Sequence, residues 1–156
     1  MVGAGLMVVQ PAPARSTMLH VSAGQDAVYL DTAGVVRVRW DARTATVLVE
    51  WLGGADPTAF SAVLDAEIEA LRQHHGTRLL ADCRYQPALD EADQDRADQE
   101  WLPQALALGL KRFAVVLPGT RLATINLWDR LGKVPAGALE IAYFATPKEA
   151  QEWLGK

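Results

Sequence analysis

The chain has a single cysteine, no long apolar run and no excess of basic charge. A lone Cys83 makes no internal disulfide and no thiolate metal site, and it suits a reducing, cytoplasmic setting. No stretch approaches the ~20 apolar residues of a membrane helix, so no integral membrane segment is expected. The formal net charge is −4 and no basic stripe occurs, which argues against a nucleic-acid partner. Hydroxyl side chains are also scarce: no Ser or Thr stands between Thr77 and Thr120.

What is present suits one folded domain. The 156 residues are 50% hydrophobic and 22% charged, enough for a sizeable core. Met1 to Ala14 is apolar and ends Pro-Ala-Pro-Ala, but no Lys or Arg precedes it, unlike a secretory leader. Residues 1–19 are therefore expected to be a flexible extension, and residues 20–156 the domain.

Two short runs organise that domain, Leu79-Leu80-Ala81-Asp82-Cys83 and Phe113-Ala114-Val115-Val116-Leu117. Neither alternates apolar with polar residues, as a strand with one wet face must, so both read as parallel strands covered on both faces. Ahead of them, Val36, Val38 and Trp40 alternate with Arg37 and Arg39. Val47, Val49 and Trp51 alternate with Leu48 and Leu52. With Val28 and Leu30 spaced around Tyr29, and short turns between, this predicts a three-stranded antiparallel meander.

The helices follow from stripes and caps. Asp56-Pro57 opens the first, with Phe60, Val63, Leu64, Ile68 and Leu71 on one face and Gly76 as the left-handed cap. Leu89 to Leu108 is helical, with a kink or break expected at Pro103. Gly119-Thr120 opens a third helix, with Leu122, Ile125, Trp128 and Leu131 spaced three apart and Gly132 at its end. Leu139, Ile141 and Tyr143 form a last strand. Thr146-Pro147-Lys148-Glu149 is a capping box for a final helix anchored by Ala150, Trp153 and Leu154. The fold class is thus α/β (α+β), in the order β-β-β-α-β-α-β-α-β-α: an antiparallel meander, then parallel strands with covering helices.

That order resembles the STAS-like domains, the mixed-sheet fold of the bacterial anti-sigma-factor antagonists. It is closer to small stand-alone STAS/SEC14-like bacterial proteins. The residues that carry the likeness are Leu79-Leu80-Ala81-Asp82, the stretch from Trp101-Leu102-Pro103 to Val115-Val116, and the end from Ala142-Tyr143-Phe144 to Trp153-Leu154. The resemblance implies a non-enzymatic module, regulatory or signalling in role, that binds a protein partner or a small ligand. It implies as an alternative a lipid or apolar-ligand carrier. Antagonists of the phosphoswitch type place a Ser or Thr just after the strand equivalent to Leu79–Asp82. Asp82-Cys83-Arg84-Tyr85 stands there instead, so the resemblance does not bring that switch with it.

No catalytic set and no cofactor site is expected. An enzyme using Asp82 and Cys83 is the weaker alternative: Cys83 lacks an evident base and, at the end of a buried strand, reads as a small core residue. Asp82 serves as an acid or base, or as a cap for the following turn. His74 and His75 point about 100° apart on a helix and do not converge on a metal. The acids from Asp90 to Glu100 lack the glycine and alternating ligands of a calcium loop and read as a solvated face. Ligands of open α/β sheets favour the crevice beyond the carboxyl ends of parallel strands. The candidate binding residues there are Asp82, Arg84, Tyr85, Gly119, Thr120 and Arg121, with the Thr120 helix start and Arg121 suited to a small anion. Trp101, beside Pro103, is the candidate partner surface.

Overall fold

A computed structural model describes residues 24–130 and 137–156, with the side chains of 126–130 left aside. The expected extension 1–19, Leu131 and the helix end at Gly132 lie outside the described residues, as does the side chain of Trp128. Six strands form one mixed sheet in chain order: β1 (Ala27–Thr32), β2 (Val36–Asp41), β3 (Thr46–Trp51), β4 (Arg78–Asp82), β5 (Arg112–Val116) and β6 (Glu140–Phe144). The first three are antiparallel, and β3 to β6 are parallel. Helix α1 (Ala59–His74) joins β3 to β4. Helices α2 (Glu91–Arg96) and α3 (Leu102–Ala107), with a π turn (Ala97–Trp101) between them, join β4 to β5. Helix α4 (Gly119–Arg130) joins β5 to β6, and α5 (Pro147–Leu154) ends the chain.

The sheet has two unequal covers. Successive crossovers of one hand, each advancing one strand in the same direction, put their helices on one face. Accordingly Val63, Leu64, Trp101, Ala105 and Ile125 join Val38, Val49, Leu79, Ala81 and Val115 in the larger core. On the other face Leu48, Leu80, Ala114 and Val116 meet Ala150 and Leu154 of α5. Both central runs are therefore buried on two sides and parallel, as their lack of alternation requires. Among the described residues, no helix is long and apolar enough to cross a membrane.

Three local features depart from the sequence expectations. In β1 the register slips between Val28 and Leu30. This bulge turns Val28 out to 53% exposure and lets Tyr29 and Leu30 both pack on the core. His75, not Gly76, takes the left-handed cap (φ 51°). Gly76 sits in a tight space, since a Cβ there would stand 3.2 Å from the Trp40 ring and 3.3 Å from Leu71. Helix α1 begins at Ala59, and Asp56 caps the preceding turn through the Thr58 amide (2.9 Å) and hydroxyl (2.8 Å). The interruption expected at Pro103 takes the form of a π turn just ahead of it: the Leu102 amide donates to the Ala97 carbonyl, five residues back, and Pro103 falls in the first turn of α3, where its missing N–H costs little.

The capping box of α5 forms as expected, with the Glu149 amide donating to Thr146 Oγ1 at 3.2 Å. Trp153 lies against Phe144 (5.7 Å between centroids), with the Arg112 guanidinium 4.0 Å above its ring. Trp153 is only half-buried. Trp153→Ala is therefore expected to cost about 2–3 kcal/mol by chemical denaturation, below the ~3–5 kcal/mol of a fully enclosed aromatic. A loss under about 0.5 kcal/mol, the scale of an ordinary surface change, would show that α5 is not held through this ring.

Candidate functional site

Alternation divides the carboxyl end of β4 between the two faces of the sheet. Asp82 points with Leu80 toward the α5 face, and its carboxylate grips Arg84 bidentately: Arg84 Nε donates to Oδ1 (2.9 Å) and Nη2 to Oδ2 (2.7 Å). The Arg84 amide donates to the same carboxylate at 3.3 Å. Asp82 thus serves as the cap of its own turn, one of its two expected roles. Tyr85 stays 63% exposed, with the Arg84 guanidinium 5.9 Å from its ring centre.

Asp82 and Arg84 line an open cleft of about 170 Å³ with Arg37, Arg39, Glu50, Leu48, Leu80, Pro147 and Gln151. Strand register builds it. One row across the sheet runs Asp31, Arg37, Glu50, Asp82; the next runs Val28, Arg39, Leu48, Leu80. Arg37 lies 3.8 Å from Asp31 and 3.4 Å from Glu50. Arg39 sits between Val28 and Leu48 and has no hydrogen bond or ion pair among the described residues. Helix α5 packs over β4, β5 and β6, which leaves this face of β1 and β2 uncovered among the described residues. Leu52, 38% exposed, lies next along the same face from Glu50.

Gly119, Thr120 and Arg121 do not line this cleft. They start α4, whose Ile125 packs into the other core, and Arg121 lies within electrostatic reach of Cys83. Of the six candidate residues, Asp82 and Arg84 line the cleft, and Tyr85, Gly119, Thr120 and Arg121 do not. Trp101 is not a partner surface. It is 7% exposed and packs on Phe113 at 5.9 Å, because it shares a helical stripe with Ala97, Ala105 and Leu108. Its indole Nε1 is buried without a partner among the described residues.

Cys83 is buried, and its thiol is pushed up to about 12, first by desolvation, then by the carboxyls of Glu67 and Asp82, against the pull of Arg121. A nucleophilic cysteine needs the reverse shift. His74 stacks on Trp40 (4.2 Å, 3° between planes) and meets the Tyr29 hydroxyl at 2.7 Å through Nε2, and burial lowers its pKa. Among the described residues, no three His, Cys, Asp or Glu side chains gather as metal ligands. Glu67 is the titratable group that sequence analysis overlooked. It is 4% exposed inside the larger core, and desolvation raises its carboxyl to about 8. Its position was the available signal, since it falls between Val63, Leu64 and Ile68, Leu71 in the middle of the apolar stripe.

No protein-family model, curated protein or solved structure gives a significant match to the chain.

The Glu67 shift fixes a sign. The unfolded chain ionises this carboxyl near the ordinary glutamate value of 4.5, while burial in the fold keeps it protonated to about pH 8. Between those limits the folded state binds more protons, so stability falls as pH rises. Glu67→Gln, which keeps the neutral shape, is expected to gain ~1–3 kcal/mol at pH 8 and little at pH 4.5 by urea denaturation. An equal effect at both pH values would mean that the group does not titrate in this window.

Proposed function

We propose that the chain is a non-enzymatic STAS-like binding module that holds a small monoanionic ligand, a carboxylate with an apolar body, in the cleft beside α5. The family assignment is supported by the element order, a meander followed by parallel strands and a terminal helix. One observation carries the ligand reading. Arg37 and Arg84 each have a carboxylate, whereas Arg39, in the aliphatic row of the same cleft, has none among the described residues. Three arginines against two carboxylates leave the lining with one positive charge. A guanidinium among aliphatic neighbours binds a carboxylate more strongly than one in open water. Tyr85 offers exposed apolar surface beside Arg84 for the rest of the ligand. The polar, open shape of the cleft favours this ligand over a lipid chain, which needs an enclosed apolar chamber.

The test is thermal unfolding of the full chain with acetate, pyruvate and benzoate at constant ionic strength. Benzoate is expected to raise the midpoint with saturation, and Arg39→Ala to abolish that rise while leaving the ligand-free midpoint within about 2 °C, since it breaks no pair. No saturable shift with any of the three acids, or an equal shift in Arg39→Ala, would defeat the proposal. Lipid retained on the purified protein in native mass spectrometry would favour a carrier instead.

A further inference from the structure

We infer that a second pocket, at the opposite end of the same sheet face, is a site for a small phosphate monoester. Its construction begins at the turn between β2 and β3, where Ala45 takes a left-handed conformation (φ 52°) and folds Arg43 and Thr44 back beside the start of β3. Arg78 opens β4 and points, like Leu80, to the α5 face. Gln151, Leu154 and Gly155 of the last helix close the far wall, and the pocket measures about 310 Å³.

The charge pattern is unbalanced there. Arg78 is the register neighbour of Arg112 on β5, and like charges on adjacent strands repel. Arg112 has its own compensation, an ion pair to Glu140 at 3.1 Å and the Trp153 ring at 4.0 Å. Arg78 donates to the Thr44 carbonyl at 3.1 Å and meets no carboxylate among the described residues. The Arg43 side chain has no partner among the described residues. Among the described residues no Asp or Glu lines the pocket, so their lining carries two positive charges. The upper cleft, by contrast, carries one.

A phosphate monoester bears close to two negative charges at neutral pH and offers three acceptor oxygens, which suits two guanidinium forks. The carbonyl-bearing end of α5 at Gly155 disfavours an anion on that side. The phosphate is thereby directed to Arg43 and Arg78, leaving Gln151 and Leu154 for the organic part of the ligand. Thr44, also on the wall, adds a hydroxyl that is buried without a partner among the described residues. This site rests on the α5 face being the binding face, but on different residues from the cleft at Arg39, so the two assignments fail separately.

Calorimetric titration of the full chain with glucose 6-phosphate, glycerol 3-phosphate, inorganic phosphate and glucose, at constant ionic strength, tests it. At least one monoester is expected to bind saturably, and glucose not at all. Arg43→Ala and Arg78→Ala are each expected to weaken the monoester about tenfold or more, and Arg39→Ala to leave it unchanged. If Arg78→Ala fails to fold, Arg43→Ala reads the site alone, because its side chain is exposed and unpaired. Four results overturn the inference: no saturable monoester binding, inorganic phosphate binding without either monoester, undiminished binding in Arg43→Ala, or loss that follows Arg39→Ala. The last would put the anion in the upper cleft and leave that reading standing.

Discussion

A strand buried on both faces needs two separate covers, and β4 obtains them from opposite ends of the chain's history. Helix α1, formed just before β4, covers Leu79 and Ala81, while α5, the last element, covers Leu80. The sheet is therefore closed only when the C-terminal helix docks. Its small core of Leu48, Leu80, Ala114, Val116, Ala150 and Leu154, with Phe144 and Trp153 packed against it, closes that side. Every further feature of the α5 face depends on where this short helix stops.

Because α5 is eight residues long, it spans β4 to β6 and leaves β1 and β2 without a cover among the described residues. Those two strands answer with charge. Asp31, Arg37 and Glu50 form a ladder that water tolerates, and exposed ladders of this kind add little stability. One pocket lies where the ladder meets the helix and the other at the opposite end of the same face, and Gln151 lines both. Their arginines come from β2, the β2–β3 turn, β4 and the loop after β4, brought together by register alone.

The central strands were legible because burial on both faces erases alternation, and the meander because Arg37 and Arg39 restore it. Caps of local origin, such as Thr146 with Glu149, were legible for the same reason that they form: their partners lie three residues apart. The bulge at Val28, the left-handed His75 and the tight space at Gly76 were not, since each is set by what packs against it. Trp101 is buried, not a surface, because the stripe through Ala97 and Ala105 decides its orientation and the neighbouring Pro103 does not. Of the crevice residues expected around Asp82 and Arg121, only Asp82 and Arg84 line the cleft, because alternation sends Asp82 to the α5 face while Gly119, Thr120 and Arg121 belong to the start of α4. The lone position of Arg39 required knowing that Val28 and Leu48 flank it, and only pairing register reveals that.

The slip in β1 has a further effect at the margin of the sheet. An outermost strand offers free amides and carbonyls to any other extended chain, and a flat margin invites open-ended fibre growth. Two residues set against one between Val28 and Leu30 bend that margin and break its spacing, so a second copy finds no continuous template along β1. The irregularity that seats Tyr29 and Leu30 in the interior thus also guards the molecule against polymerising along this strand.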